Sequence, residues 1–276
     1  MDDKNTGWGD VAPWYDDLLE TGSNYQKDVI LPDLLGVLNI QKGDRILDLA
    51  CGQGFFARAF RAAGAKVIGV DVAHELIDIA KNYEKEGLNT KSVANLPLAR
   101  ERAGLVFSPD GIVIDYFVAP SHKLEFIPNE SMDKITIVLA LQNIEKVSET
   151  FKECFRVLRS GGALVMVMNH PAFRVPRESS WGFDEKNEIQ YRRVDKYMSE
   201  LKVSINMHPG EKSPSFTSTF HRPVQFYFKA LKGAGFLVRN LHELLSNKVS
   251  QPGKRVHAEN QARKEIPLFM TIEAVK

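Results

Sequence analysis

The residues best suited to ligand chemistry lie in one short segment, 46–57, which reads ILDLACGQGFFA. Asp48 stands near the end of an apolar run typical of a strand, and Gly52 and Gly54 lie in the turn before a helix-like sequence. Glycines in such a turn let the backbone approach a ligand closely, and the amino end of the helix directs its N–H groups at that ligand. The segment therefore predicts a binding turn between a strand and a helix.

The acid in this segment helps to decide between two kinds of ligand. Asp48 would repel the pyrophosphate of a dinucleotide, and Ala57 stands where the dinucleotide motif has its third glycine. A ligand with positive charge would be attracted instead. S-adenosylmethionine has a sulfonium, an ammonium and one carboxylate, and it carries no phosphate. Asp71 ends the next predicted strand and is placed to accept hydrogen bonds from ribose hydroxyls.

Short apolar runs alternate with helical patterns around this turn. Strands are predicted over 45–49, 66–70, 134–141, 163–168, 236–241 and 268–275. Helices are predicted over 55–63, 74–86, 147–158 and 223–231, and residues 1–44 have amphipathic helical pieces. This alternation is typical of an α/β fold with a parallel sheet covered by helices. Residues 87–113 and 170–220 break the pattern and are expected to be long loops or insertions on a single domain, 1–276.

Composition narrows the class of protein. The 276 residues include 36 Lys and Arg against 35 Asp and Glu, for a net charge of +1, and 43% are hydrophobic. These values are ordinary for a globular protein and argue against binding to nucleic acid through a basic surface. Cys51 and Cys154 alone predict neither a disulfide framework nor a metal site. The sequence has neither a leader pattern nor a membrane-spanning apolar run, so a cytoplasmic protein is expected.

The order of these motifs resembles that of the class I S-adenosylmethionine-dependent methyltransferases. LDLACGQG at 47–54 is similar to their first motif, and VDVAHELIDIAK at 70–81 is similar to the segment that follows it. Residues 135–174 resemble their fourth strand, the next helix and the fifth strand, and residues 220–236 resemble their last helix. The resemblance implies a doubly wound, mostly parallel seven-stranded sheet, with an N-terminal helical lid (1–44) and a long insertion after strand five (170–220).

The resemblance also implies S-adenosylmethionine as the cofactor and assigns residues to it. Asp48 would steer the ammonium of the methionine part through water or the backbone, and Asp71 would hold the ribose hydroxyls beside an adenine packed on Val72. The residues implied to line the cofactor site are Tyr15, Tyr25, Asp48, Ala50, Cys51, Gly52, Asp71, Val72, Ser121, His122, Leu139, Ala140 and Leu141. The two tyrosines belong to the helical lid and would close over the cofactor.

Two histidines are the candidates for acid–base chemistry on the methyl acceptor. His170 follows the fifth predicted strand and His221 precedes the last helix, so both are expected near the sheet edge where ligands bind. Each could instead be structural, in a turn or as a helix cap. The insertion is locally basic, with Arg174, Arg177, Arg192 and Arg193. It also contains Trp181, Phe183 and Tyr191. An anionic or aromatic small molecule is therefore the expected acceptor, unless these side chains form only a solvated surface.

Three alternatives to a small-molecule methyltransferase remain. A methyltransferase acting on RNA or protein would favour a basic stripe, or two prolines and an aromatic after strand four, where this chain has ALQN at 140–143. A nicotinamide-dependent reductase is disfavoured by Asp48 and by Ala57. A binding module that keeps the fold without catalysis is the third. The sequence does not predict an oligomeric state.

Overall fold

One large sheet forms the centre of the computed structural model, in which residues 7–20, 22–85, 114–207 and 216–276 are described. The helices are α1 (Ala12–Glu20), α2 (Leu31–Leu38), α3 (Phe55–Ala62), α4 (His74–Lys85), α5 (Val147–Val157), α6 (Val224–Ala234) and α7 (Val256–Glu265). Tighter or wider helical turns cover Gly9–Val11, Gln26–Ile30 and Leu141–Asn143. None of the helices within those ranges has the length and apolar character needed to cross a membrane.

The strands are β1 (Arg45–Leu49), β2 (Lys66–Asp71), β3 (Asp115–Val118), β4 (Met132–Val138), β5 (Leu158–Asn169), β6 (Ser179–Asp184), β7 (Ile189–Val194), β8 (Leu201–Asn206), β9 (Phe216–His221), β10 (Leu237–Leu244) and β11 (Phe269–Val275). In the described residues the main sheet has seven strands, in the order β10-β11-β5-β4-β1-β2-β3. Strands β1 to β5 are parallel, and β11 is antiparallel to both of its neighbours. The predicted doubly wound, mostly parallel sheet is confirmed.

Both faces of this sheet are buried, which explains the apolar runs of its central strands. In β5, Val165 and Val167 belong to a core cluster with α2 and α3, whereas Leu164 and Met166 belong to a second cluster with α5 and α6. Successive side chains of a strand point to opposite faces, so a strand covered on both sides needs apolar residues at every position. Packing of the helices on both faces holds the sheet in place, and the sheet in turn sets the position of the edge at which its parallel strands end.

The insertion after β5 contains two β-hairpins where the sequence analysis predicts loops. β6 pairs with β7, and β8 pairs with β9. The signal was weak because 189–194 and 201–206 alternate between exposed and half-buried positions without a continuous apolar face. The second hairpin packs beside the turn after β4, where Asn143 donates from Nδ2 to the carbonyl oxygen of Ser218 at 3.0 Å. The insertion therefore lies next to the edge at which β4 ends.

Further differences concern single elements. β4 ends at Val138, before the predicted end at residue 141, because Leu139 has a left-handed backbone with φ of 52°. Helix α7 is not among the predicted helices, since its buried side chains are only the alanines at 258 and 262. The segment 87–113, predicted as a long loop, lies outside the described residues.

The packing of Gly69 in β2 gives a stability prediction. A Cβ at Gly69 would lie 2.5 Å from Tyr116 Cδ1 and 3.0 Å from Cys51 Sγ. Gly69→Ala should therefore lower the free energy of unfolding by about 1–3 kcal/mol through overpacking. The matched control is Gly36→Ala in α2, where nothing lies within 4 Å of the added Cβ.

Urea unfolding followed by circular dichroism measures both variants. The control should leave the midpoint unchanged or raise it, because alanine is favoured over glycine inside a helix by up to ~1 kcal/mol. Equal midpoints for the two variants would contradict the tight packing of Tyr116 on β2.

Candidate active site

The carboxyl ends of three adjacent parallel strands meet at one edge of the sheet. β1 lies between β2 and β4, and Asp48 is opposite Gly69 on one side and Thr136 on the other. The turns that follow these strands, at 50–54, 71–73 and 139–144, therefore lie side by side. In open parallel sheets this edge, next to the point where the strand order reverses, is where ligands bind.

The predicted binding turn after β1 has an unusual backbone. Ala50, Gly52 and Gly54 have positive φ angles of 59°, 57° and 82°. A Cβ at Gly54 would lie 2.3 Å from the hydroxyl oxygen of Tyr116, so this position requires glycine for space as well as for conformation. Ala50 and Leu139, both facing the same cavity, are left-handed without being glycine. Such backbone strain concentrates at functional sites.

Asp71 fixes the binding turn to the end of β2. Its Oδ2 accepts a hydrogen bond from the backbone N–H of Gly52 at 2.8 Å, and its Oδ1 accepts one from the backbone N–H of Ala73 at 2.9 Å. Burial raises the pKa of this carboxyl, and hydrogen bonds from the backbone of Ala73, Gly52 and Val72 oppose that shift. A carboxylate has about four acceptor sites, so it can still accept a hydrogen bond from a ligand.

Asp48 is a buried acid with an unsatisfied oxygen. Its Oδ1 accepts a hydrogen bond from the hydroxyl of Thr136 at 2.8 Å, whereas its Oδ2 has no hydrogen-bond partner among the described residues. Burial raises the pKa of Asp48 to about 7, against the hydrogen bond from Thr136, and the nearby Asp71 raises it further. A cationic group in the adjoining cavity would supply what Oδ2 lacks, and it would favour the ionised acid.

Tyr15 of α1 lies across these acids. Its Cε1 is 3.6 Å from the position of a Cβ on Gly52, and its ring meets that of Trp8 edge-on with centroids 5.3 Å apart. Burial, together with the negative potential of Asp71 and Asp48, raises the pKa of Tyr15 to about 12. The hydroxyl therefore stays protonated at neutral pH and can donate a hydrogen bond into the cavity.

A small cavity of about 100 Å³ lies between α1 and the strand ends, and it gathers most of the residues predicted for the cofactor. The predicted residues that line it are Tyr15, Asp48, Ala50, Cys51, Gly52, Asp71, Val72, Leu139 and Ala140. The sequence reasoning missed Trp8, Phe55, Phe56, Asn143 and Ile144, which line it as well. The last two follow directly after the turn of β4, so their place next to a strand end was the available signal.

The other four predicted cofactor residues lie outside the small cavity. Ser121 and His122 line a neighbouring cavity that shares Val72 with it. Leu141 is fully buried in the core. The Tyr25 hydroxyl is 3.0 Å from Ser246 Oγ, and its ring packs edge-on against Phe269. Tyr25 therefore anchors the N-terminal segment to the start of β11, where Phe269 pairs with Asn169 of β5.

The two histidines predicted for acid–base chemistry are buried and engaged elsewhere. His170 Nδ1 accepts from the backbone N–H of Ala172 at 3.2 Å, so its Nε2 carries the proton and donates to Glu243 at 2.8 Å. Burial lowers the pKa of His170, which opposes its interaction with Glu243. His221 donates from Nε2 to the carbonyl oxygen of Tyr197 at 2.8 Å. Neither histidine lines the small cavity or the larger one beside it, and their role as acid–base groups stays a prediction.

The larger cavity, of about 640 Å³, shares Trp8, Tyr15, Leu139 and Asn143 with the small one. Its remaining wall comes from α1, from residues 169–179 and from strands β7 to β9 of the two hairpins. Gln142 also faces it, and the buried Oε1 of this residue has no hydrogen-bond partner in the described part of the chain. The insertion thus builds a second compartment that adjoins the first.

Comparison with known proteins finds methyltransferases among the similar sequences. Residues 47–166 match a methyltransferase domain model. A demethylmenaquinone methyltransferase of Renibacterium salmoninarum is 29% identical over 168 residues, which are 59% of this chain and 58% of that protein. Another, from Thermus thermophilus, is 28% identical over 246 residues, covering 87% of this chain and 94% of that protein. The match to the first relative thus spans little more than half of its length.

The fold has a close counterpart among solved structures. An S-adenosylmethionine-dependent methyltransferase of Mesorhizobium loti superposes with a TM-score of 0.61 at 24% sequence identity, covering 89% of this chain and 96% of that chain. Residues 47–166 thus match a methyltransferase domain, and the chain has the fold of a solved S-adenosylmethionine-dependent methyltransferase. The ammonium of S-adenosylmethionine is a cationic group that would fit the unsatisfied Asp48 oxygen, and its ribose hydroxyls would fit the remaining acceptor site of Asp71.

The raised pKa of Asp48 predicts a pH-dependent stability in the ligand-free protein. An acid whose pKa rises from 3.8 to about 7 on folding stabilises the fold while protonated and loses that contribution as the pH rises between these values. Asp48→Asn should therefore gain stability relative to the wild type across this range, by ~1–4 kcal/mol above pH 7.

Urea unfolding between pH 4 and pH 8 gives the difference in unfolding free energy at each pH. The same substitution at the exposed Asp78 of α4 is the control. If the difference in unfolding free energy between Asp48→Asn and wild type stays constant across this range, the raised pKa of the buried Asp48 is contradicted.

Proposed function

We propose that the protein transfers a methyl group from S-adenosylmethionine to a small molecule bound in the larger cavity. One observation carries the cofactor half of the proposal: the unsatisfied Asp48 oxygen and the Asp71 carboxylate face the same cavity beside the glycine turn. The shared wall of the two cavities supports the acceptor half, because an acceptor in the larger cavity would adjoin the cofactor. Both relatives described above are named for methylating demethylmenaquinone, which is a small molecule.

The residues of this chain hold and orient the reactants. When bound, S-adenosylmethionine supplies an electrophilic methyl group on a sulfonium. Asp48 balances the ammonium, and Asp71 fixes the ribose while it keeps the turn at Gly52 in place. Leu139 and Ile144 give the small cavity apolar walls that exclude water. Alignment of acceptor and methyl donor by such walls is the main catalytic contribution that a direct displacement requires.

The walls of the larger cavity support an anionic or aromatic acceptor. Arg174, Arg177 and Arg192 face it, as do Trp8 and Trp14. Guanidinium groups bind carboxylates and phosphates, and aromatic rings stack on planar ligands. A nucleic acid acceptor has less support, because the net charge of the chain is only +1.

Calorimetric titration with S-adenosylhomocysteine tests the cofactor site. The wild type should bind it, and Asp71→Asn should weaken binding by roughly 10- to 100-fold, because it removes a charged acceptor from the ribose and loosens the turn at Gly52. Asp78→Asn is the matched control, since Asp78 is an exposed acid of the neighbouring helix.

Circular dichroism shows whether each variant remains folded under the titration conditions. Titration with NADH in place of S-adenosylhomocysteine examines the reductase alternative. Absence of S-adenosylhomocysteine binding at millimolar concentration, or tighter binding of NADH, would overturn the proposal.

A further inference from the structure

The charged side chains that line the larger cavity are all positive among the described residues. Three arginines face it, namely Arg174, Arg177 and Arg192, and no acidic side chain does so among its described lining residues. Elsewhere on the insertion an arginine is balanced, since Arg193 pairs with Asp195 at 2.8 Å. Arg192 and Arg193 are adjacent in β7, so their side chains point to opposite faces of the hairpin. The uncompensated arginines are thus those on the cavity side.

The Arg192 guanidinium is held in place by neutral partners. Its Nε donates to the carbonyl oxygen of Phe173 at 2.8 Å, and its Nη2 donates to the hydroxyl of Ser179 at 2.7 Å. The group also lies 5.2 Å from the ring centroid of Trp181. These contacts fix the orientation of the side chain but leave its positive charge unbalanced.

Arg174 faces the same cavity as Arg192. The part of the chain that the structure describes gives its guanidinium neither a hydrogen bond nor an ion pair, and its ring contact, with Phe269, is 5.9 Å from the centroid. Desolvation lowers the pKa of Arg174 and of Arg192, and repulsion from Arg174 lowers that of Arg192 further. Arg174 is exposed to solvent and Arg192 is half-buried, and two positive charges that face one cavity without an acidic partner attract an anion.

Arg174 lies in a hydrogen-bonded turn that begins at His170. The His170 carbonyl oxygen accepts from the backbone N–H of Arg174 at 2.9 Å, and its ring accepts from the N–H of Ala172 while bonded to Glu243. Both ring nitrogens of His170 are therefore hydrogen-bonded, and these bonds hold the turn after β5 in place.

We propose that the methyl acceptor is a small molecule with an oxyanion group, a carboxylate or phosphate, bound by Arg174 and Arg192. The inference rests on the proposed function and names the substrate class of its acceptor site. The arginines face only the larger cavity, whereas Tyr15 and Leu139 line both cavities. The oxyanion is thus an anchor held away from the wall shared with the cofactor, and a different atom of the acceptor faces the methyl group.

Binding of matched probes to the protein saturated with S-adenosylhomocysteine tests the anion site. The probes are benzoate, phenyl phosphate and the neutral benzamide, measured by calorimetry with wild type, Arg174→Gln, Arg192→Gln and Arg193→Gln. Benzoate or phenyl phosphate should bind the wild type and Arg193→Gln, and each cavity variant should weaken that binding at least tenfold. Benzamide should bind at least tenfold more weakly than whichever of the two anions is preferred. Arg192→Lys should retain part of the affinity, because it keeps the charge and loses the hydrogen-bond geometry.

The two anions distinguish a carboxylate from a phosphate acceptor, and preference for either one supports the proposal. Binding of benzamide as tight as that of the preferred anion, equal affinities in all the variants, or no anion binding by the wild type at 10 mM would overturn it. Titration of every variant with S-adenosylhomocysteine distinguishes a failure of the cofactor site from a failure of the anion site. Loss of that binding in the wild type refutes the proposed function, whereas intact cofactor binding without anion binding refutes the anion site alone.

Discussion

The carboxylate of Asp71 is the contact on which the ligand-binding edge depends. It accepts backbone hydrogen bonds from Gly52 and Ala73, and so it joins the turn after β1 to the turn after β2. Cys51 adds a backbone bond from its N–H to the carbonyl oxygen of Val70 at 3.1 Å. A left-handed turn with two glycines would otherwise have many conformations, and ordering it on binding would cost entropy. Asp71 therefore preorganises the turn after β1, and its carboxylate also lines the cavity beside that turn.

Two parts of the structure meet at this edge, the sheet with its helices and the elements that wall the larger cavity. The sheet and its helices fix the ends of β1, β2 and β4, whereas the walls that would select an acceptor come from α1 and from the hairpins after β5. The hairpins have few fully buried positions, unlike the central strands of the sheet. Changes in the acceptor cavity are therefore expected to cost the fold less than changes at the strand ends.

Much of the fold was predictable because its signals are local. Asp48, Gly52 and Asp71 lie within one strand–turn–helix–strand unit, and the spacing of such a unit determines which residues meet. The direction of a side chain at the end of a strand is less accessible to sequence reasoning. Asn169 faces the larger cavity, whereas the adjacent His170 turns towards Glu243. A shift of one residue reverses the face, and the sequence does not specify where β5 ends to that accuracy.

In the proposed complex, the contact made by Asp48 does not distinguish S-adenosylmethionine from the product left after transfer. The ammonium that would complete its hydrogen bonding is common to S-adenosylmethionine and to the product left after transfer, and it lies outside the reacting sulfur–carbon bond. An interaction of equal strength before and after reaction increases affinity without lowering the chemical barrier. In the proposed complex, Asp48 is therefore expected to set what fraction of the protein carries the cofactor, and by the same contact to let the product compete with S-adenosylmethionine for the site.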